Sequence, residues 1–163
     1  MLGGDDAAMN AKPGSIAASR VEMTEIILPQ FANAIGTAFG GQILAWMDTA
    51  AAVVAMRHCE GIAVTASIDE VHFQEPIHQG DVVTLLSWIN YTGRSSMEIE
   101  VQVFTENVRQ PRQLAVRAYL TFVHVDEHGR PTPVRQAVLE TDEERIRWEK
   151  AKRRVEARKA RAT

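Results

Sequence analysis

Apolar residues follow two different periods along this chain, and the change of period marks its secondary structure. Structure is expected to begin near Ala18, and apolar and polar side chains alternate over 21–28, which predicts a first strand that Pro29 ends. From Gly40 to Cys59 the apolar side chains cover every helical face, a pattern typical of a helix buried on all sides. Gly61 follows this segment and is the expected C-cap of the helix.

Four strand-like runs follow the predicted helix and indicate a meander. In the third run, methionine, isoleucine and valine alternate with glutamate and glutamine, which predicts a sheet with one buried face. The segment 90–95, NYTGRS, predicts a short hairpin, and the polar segment 106–112 predicts a loop that contains a proline. The four runs are Ala63–Phe73, Asp81–Tyr91, Ser95–Thr105 and Gln113–Val125.

The order of these elements predicts an α+β fold. One strand, a long helix and four further strands are expected to form a five-stranded antiparallel sheet with the helix packed on it. One sheet cannot cover a helix that is apolar all round. A second copy of the chain is therefore the simplest cover for the remaining face.

A capping-box signature at 141–144, TDEE, predicts a final helix that runs to about Ala160. Most of this helix is charged, and a solvated basic surface is favoured over a dedicated phosphate or partner site. We therefore divide the chain into a flexible tail over residues 1–17, a folded domain over residues 18–135 and a C-terminal helical extension over residues 136–163.

Composition narrows the class of protein. A chain of 163 residues fits one domain, and a net charge of -3 argues against a general nucleic-acid binder. Cys59 is the only cysteine, so the chain forms no internal disulfide, and no Cys/His cluster has the spacing of a metal site. No secretory signal or membrane-spanning segment is recognisable, and we expect a cytoplasmic protein.

One carboxylate, Asp48, lies in the middle of the apolar helix. A partner has to come from another element or a second chain, because its neighbours at helical spacing cannot pair with it. A buried carboxylate without a partner is costly, and proteins retain one mainly where it does chemical work. We therefore expect a functional Asp48, with a structural acid bonded to a neighbouring strand as the alternative. The helical neighbours are Leu44, Ala45, Ala51 and Ala52.

The segment 33–48 carries the pattern N-x-x-G-x-x-F-G-G-x-I-L-x-x-M-D. With RHCEGIAVTASIDEVHF at 57–73, GRSSMEIEVQV at 93–103 and the final helix, the chain resembles the hotdog-fold acyl-CoA thioesterases, the cytosolic group that includes the brain-type enzyme. The resemblance runs from about Val21 to Arg158. It implies a hotdog fold, in which a five-stranded sheet wraps around a long central helix, and hydrolysis of acyl-CoA to a carboxylic acid and CoA.

The resemblance also implies an assembly and a catalytic pair. Animal relatives carry two hotdog units in one chain, whereas this chain has one, so a homodimer is expected, assembled further into a hexamer as a trimer of dimers. The thioester is expected at the dimer interface, between Asp48 of one protomer and Asn33 of the other. Acyl-CoA is the expected partner, and no metal, organic cofactor or nucleic acid is expected.

The chemistry of thioester hydrolysis agrees with these positions. It needs an activated water, for which Asp48 is the candidate general base, with direct nucleophilic attack by the carboxylate as the alternative. It also needs donors for the developing oxyanion, which the free N–H groups of Gly40 and Gly41 at the start of the helix can supply. Asn33 is expected to orient water or polarise the carbonyl, unless it only shapes an Asx-turn.

Residues for the CoA portion are expected among hydroxyls and a guanidinium, which can bind phosphate and pantetheine but also form ordinary strands and turns. A non-catalytic acyl-CoA-binding regulatory protein with the same groove is the alternative from another class. The CoA candidates are Thr65, Ser67, Arg94, Ser95 and Ser96, and the expected walls of the acyl tunnel are Trp46, Met47 and Trp88.

Overall fold

A computed structural model describes residues 11–161 and confirms the predicted order of elements. A single long helix, the central helix, lies between the first and second strands, and a second long helix, the C-terminal helix, ends the described chain. The elements are a short helix Ile16–Ser19, β1 Val21–Ile26, a 3-10 turn Pro29–Phe31, the central helix Gly40–Cys59, β2 Ile62–Phe73, β3 Val82–Thr92, β4 Ser96–Asn107, β5 Gln110–Val125 and the C-terminal helix Asp142–Arg161.

The five strands form one antiparallel sheet in the order β1-β3-β4-β5-β2. This arrangement leaves β1 and β2 as the two edges. One face of the sheet packs on the central helix, and the core lies between them, with Ile43, Met47 and Val54 of the helix fully buried. Burial of each such side chain contributes about 1.5–3 kcal/mol, so this layer holds the fold together.

The sequence predicts a central helix that is buried on all sides. Within one chain, the helix is not covered on all sides. Gly41, Ala45, Thr49 and Met56 are exposed at helical spacing, and we call these four residues the open strip. This face lies open within one chain because the helix packs on one sheet only. The open strip is the small, largely apolar face for which the sequence predicts a second cover.

Gly61 is not the C-cap of the central helix. Glu60 takes the left-handed conformation there, with a φ of 51°. Glycine at position 61 instead avoids a steric clash, because a Cβ there would lie 2.7 Å from Nε2 of His124.

The predicted loop over 106–112 is shorter than expected. Asn107 pairs with Gln110, so only two residues connect β4 to β5. Pro111 therefore lies inside β5, at an irregularity where the register skips between Asn107 and Thr105. A proline is tolerated there because a bulge does not require its missing N–H.

The C-terminal helix covers the other face of the sheet, and its N-terminal capping box is confirmed. The Thr141 hydroxyl accepts from the N–H of Glu144 at 3.1 Å, and the Glu144 carboxylate accepts from the N–H of Thr141 at 3.1 Å. The predicted solvated basic surface is wrong for Arg154 and Arg158. Both arginines bind Glu98, a β4 residue whose side chain is 0% exposed.

The chain is already ordered before Ala18. Ser15 and Ile16 are buried, and the short helix begins at Ile16, where the Ser15 hydroxyl accepts from the N–H of Ala18. Residues 1–10 of the predicted tail lie outside the described residues. No helix within residues 11–161 has the length and apolar character to cross a membrane.

Candidate active site

Asp48 has a partner in the same chain. Thr65 on β2 donates its hydroxyl to Oδ1 of Asp48 over 2.7 Å. Asp48 is only partly buried and flanks the open strip. No other hydrogen bond reaches its carboxylate from the described part of the chain, so its second oxygen, Oδ2, is left to accept from a water or a ligand.

A bulge in β2 determines which hydroxyls face the central helix. Thr65 pairs with Phe122, whereas Ser67 pairs with Thr121, the residue next to Phe122 on β5. Phe122 and Thr121 are consecutive on β5 and therefore point to opposite faces of the sheet. Their partners Thr65 and Ser67 point to opposite faces as well. The unpaired residue between them is Ala66, and without this bulge the two hydroxyls would share one face.

Ser67 accordingly belongs to the face under the C-terminal helix. Its hydroxyl donates to Oδ2 of Asp69 over 3.3 Å, and Asp69 forms an ion pair with Arg158. The structure therefore separates the two β2 residues that the sequence pairs as CoA candidates. Thr65 lies beside Asp48, and Ser67 does not.

Asn33 is held in a tight loop before the central helix. Its side-chain oxygen accepts from the N–H groups of Ile35 and Thr37, both at 3.1 Å, and its Nδ2 donates to the Thr37 hydroxyl over 2.7 Å. Gly36 supplies the positive φ of 78° that the turn requires. The Asx-turn that the sequence left open is thus present. One N–H of the Asn33 amide remains free to donate within the described chain, and the residue is exposed.

The start of the central helix offers two free donors. Phe39 is the N-cap and makes no side-chain cap bond, and no acceptor within residues 11–161 takes the N–H of Gly40 or Gly41. Aromatic rings crowd both glycines: a Cβ at Gly41 would lie 2.6 Å from Phe39, and one at Gly40 would lie 3.4 Å from Phe73. Free N–H groups at a helix N-terminus attract negative charge.

A cleft of about 270 Å³ lies between the loop that carries Asn33 and the end of β2. The N–H of Ala38 donates to the carbonyl of Ile77 over 2.7 Å and joins these two segments. Sequence reasoning missed Phe73 as a residue of this region, because no pattern in the sequence reveals where the irregular end of β2 folds back. The walls of the cleft include Thr37, Ala38, Ile43, Phe73, Pro76 and Ile77.

The predicted tunnel walls separate. Trp88 lies under the C-terminal helix, with Arg147 4.7 Å from the ring centroid, so it is on the opposite face of the sheet from Asp48 and the prediction is wrong for it. Met47 is 1% exposed within the core. Trp46 is partly buried and packs edge-to-face on Phe31 at 5.1 Å.

The β3–β4 hairpin carries the remaining CoA candidates. Its backbone is bonded to β5 and to the chain after it, since the carbonyl of Ser95 accepts from His124 of β5 and that of Arg94 accepts from Val134. The Arg94 side chain is exposed and has no partner among residues 11–161. No hydrogen bond connects Arg94, Ser95 or Ser96 to Asp48 or Thr65 in that part of the chain.

The described residues contain no set of side chains suited to bind a metal ion. No group of three or more His, Cys, Asp or Glu side chains comes together there in a way that could hold an ion. The one polar group that contacts Asp48 within residues 11–161 is instead the Thr65 hydroxyl.

Comparison with known proteins identifies the family. The thioesterase superfamily matches residues 35–111. The uncharacterized acyl-CoA thioester hydrolase YkhA of Bacillus subtilis is 41% identical over 144 residues, covering 88% of this chain and 84% of that protein. The human cytosolic acyl coenzyme A thioester hydrolase is 36% identical over 155 residues, covering 93% of this chain but only 41% of that protein.

Solved structures agree with these relatives. A hexameric acyl-CoA thioesterase crystallised without ligand has a TM-score of 0.87 and 42% identity, covering 91% of this chain and 96% of that one. An acyl-CoA hydrolase from Staphylococcus aureus, in complex with butyryl coenzyme A and coenzyme A, has a TM-score of 0.85 and 39% identity, with 91% of each chain covered.

The chain therefore belongs to the thioesterase superfamily, and its architecture is the hotdog fold. Within that superfamily it is an enzyme of the acyl-CoA thioester hydrolase group.

Proposed function

We propose that this protein hydrolyses acyl-CoA to a carboxylic acid and CoA at a site shared by two copies of the chain. Asp48 of one protomer activates the attacking water, and Asn33 of the other contacts the thioester. The observation that carries the proposal is the hydrogen bond from Thr65 to Asp48, which fixes the carboxylate and leaves its second oxygen free. An acid that only linked the helix to β2 would not need to flank an open surface.

The solved relatives support this assignment. Structures of the Staphylococcus aureus hydrolase include variants in which alanine replaces an aspartate, a threonine or an asparagine. These three positions are spaced along that chain as Asp48, Thr65 and Asn33 are spaced here. The same three residue types at the same spacing, in a fold with a TM-score of 0.84 or above, favour one shared arrangement.

The reaction proceeds in two stages. Asp48 takes a proton from a water, which attacks the thioester carbonyl and forms a tetrahedral oxyanion. The free N–H groups of Gly40 and Gly41 of the protomer that supplies Asn33 donate to this oxyanion, at a gain of about 3 kcal/mol per donor in comparable sites. Those of the Asp48 protomer lie roughly 10 Å along the helix from Asp48. The intermediate then expels the CoA thiolate, which recovers the proton from Asp48. The spare N–H of Asn33 orients the water or the carbonyl.

Association of two chains is part of this proposal. The open strip beside Asp48 lacks a cover within the described chain, and β2 is a sheet edge with Ile62, Val64 and Ile68 exposed. An apolar edge of this kind is a ready site for pairing with another chain. A related thioesterase is hexameric, and we extend that assembly to this chain as a trimer of dimers.

The remaining features of the proposal follow from the same chemistry. The reaction uses side chains, backbone donors and water, and needs no metal or organic cofactor. Arg94, Ser95 and Ser96 stay candidates for the CoA portion. Ser67 is a weaker candidate, because it lies on the opposite face of the sheet from Asp48. We propose a cytoplasmic location, where acyl-CoA is made and used and where the mammalian relatives are named as cytosolic.

The test is release of free thiol from short, medium and long acyl-CoAs by the parent and by Asp48→Asn. A loss of roughly a hundredfold or more in a folded Asp48→Asn protein is expected for a general base. The matched control is Asp142→Asn, an exposed acid at the start of the C-terminal helix, which should retain the parental rate. Parental hydrolysis by Asp48→Asn, or tight binding of acyl-CoA with no release by the parent, would overturn the proposal.

A further inference from the structure

Three residues of β2, numbers 67–69, form a short segment between two irregularities. The register of β2 against β5 skips between Thr65 and Ser67 and again between Asp69 and His72. Glu70, in the second skip, has a φ of 53°, which is unusual for a residue other than glycine. Within the described chain β2 pairs on one side only, so backbone bonds to β5 alone fix its register there.

Arg158 of the C-terminal helix ties this segment to the centre of the sheet. Its guanidinium contacts Oδ2 of Asp69 at 3.1 Å through one nitrogen and Oε2 of Glu98 at 2.7 Å through the other. Asp69 is on β2 and Glu98 is on β4, so the side chain bridges two strands that are separated by β5. A planar guanidinium holds two carboxylates in a fixed geometry, which a lysine cannot do.

The neighbouring arginine lacks this connection. Arg154 binds Oε1 of Glu98 through two nitrogens, at 2.6 Å and 3.1 Å, and its guanidinium lies 3.8 Å from the ring centroid of Tyr119. Both of these partners are on β4 and β5. Arg154 and Arg158 therefore share one buried acid but differ in whether they touch β2.

We propose that Arg158 is a positioning residue for hydrolysis and acts through β2. By holding Asp69, which also accepts from Ser67, it fixes the segment that follows the bulge and thereby keeps Thr65 turned toward Asp48. The inference rests on the proposed role of the Asp48–Thr65 pair. It gives the C-terminal helix a function in catalysis, although the helix lies on the opposite face of the sheet from Asp48.

The experiment compares four proteins: the parent, Arg158→Ala, Arg158→Lys and the control Arg153→Ala. Arg153 is exposed on the same helix, so its removal makes the same change in charge without touching β2. The first readout is the methyl resonance of Thr65 in threonine-labelled protein, assigned by its loss in Thr65→Val. The second readout is kcat and KM for one acyl-CoA.

In Arg158→Ala we expect the Thr65 resonance to move and kcat to fall about tenfold, since small misplacements of catalytic groups are costly, while KM changes little. Arg153→Ala should leave the resonance, kcat and KM as in the parent. In a Thr65→Val background, Arg158→Ala should lower kcat little further, because both substitutions act on the same contact between Thr65 and Asp48. If Arg158→Ala does not fold, Arg158→Lys, which keeps the charge but not the fork, is judged by the same readouts.

An unmoved Thr65 resonance in a folded Arg158 variant would overturn the inference. So would a full further loss of kcat when Arg158→Ala is added to Thr65→Val. The proposed function fails separately, because in that case Asp48→Asn and Thr65→Val keep the parental rate whether or not the Thr65 resonance responds to Arg158.

Discussion

At the scale of single residues, the account depends on one hydrogen bond. The hydroxyl of Thr65 donates to the Asp48 carboxylate at 2.7 Å, and a bond of this kind to a charged acceptor is stronger than one between neutral groups. It occupies one oxygen and leaves the other without a partner in the described part of the chain. Asn33 is fixed in a similar way by Thr37, which leaves one N–H of its amide to act on a ligand.

The first prediction removes the donor to Asp48. Thr65→Val should lower kcat by about tenfold to a hundredfold, because loss of a hydrogen bond to a charged group is equivalent to about 1.5–3 kcal/mol. The free energy of unfolding should change little, since Thr65 is exposed. Steady-state thiol release measures the effect. The control is Thr24→Val, an exposed threonine on the other edge strand, and an equal loss in both variants would contradict the prediction.

The second prediction concerns His58 of the central helix. Burial first, and then the charge of Arg135, lower the pKa of His58 from its ordinary value of 6.5, although its hydrogen bond to the Arg135 carbonyl acts in the opposite direction. The unfolded chain therefore binds a proton there more readily than the folded one. The free energy of unfolding should fall as pH decreases through about 6.5 and below.

Urea unfolding between about pH 7 and about pH 5.5 tests this dependence. His58→Gln, which has no group that titrates in this range, should flatten the decrease. His128→Gln, a change at an exposed histidine, should keep the parental slope. An unchanged slope in His58→Gln would show that other groups cause the dependence.

At the scale of elements, β2 contacts both layers of the molecule. Before its first bulge it supplies Thr65 to the central helix, and after it Ser67 and Asp69 face the C-terminal helix. The alternation of residues predicts the strand itself, and its bounds are correct to one residue. Sequence could not locate the bulges, since they arise from pairing with β5. For that reason the sequence names Thr65 and Ser67 together as CoA candidates and does not reveal that they point to opposite faces of the sheet.

The third prediction concerns attachment of the C-terminal helix. Arg154→Ala removes one of the two cations that bind the buried Glu98, so it should lower the free energy of unfolding by roughly 3 kcal/mol. The neighbouring Arg153→Ala should change it by less than about 0.5 kcal/mol. Denaturant titration of both variants measures this difference, and equal stabilities would show that the ion pair contributes nothing.

At the scale of the whole molecule, two apolar surfaces lack a cover within residues 11–161: the open strip of the central helix and the free edge of β2. The fold class and the order of elements were predictable, because periodicity and turn residues are local properties. The proposal that Asp48 and Asn33 form a catalytic pair comes from the family resemblance and not from these local properties. Within one chain, Asp48 is hydrogen-bonded to Thr65, and Asn33 is hydrogen-bonded within its own loop. Whether Asp48 and Asn33 share a site depends on a second chain.

The fourth prediction tests this dependence on a partner. Met56 is part of the open strip, two helical turns from Asp48, and Met56→Arg places like charges together wherever two copies meet there. The assembly should dissociate and hydrolysis should be lost, with the helical content kept. Sedimentation and thiol release measure both. Val108→Arg, at the exposed β4–β5 turn, should leave mass and rate unchanged. A fully active Met56→Arg monomer would contradict the shared site.

The most direct test of the central claim is complementation between Asp48→Asn and Asn33→Ala. Each variant alone should be nearly inactive. After dissociation and random re-association, half of the dimers are mixed and carry one intact site, so hydrolysis should return to about a quarter of the parental rate. Recovery of this size would place Asp48 and Asn33 of different chains in one site. Mixed dimers without recovery would contradict a site shared between protomers.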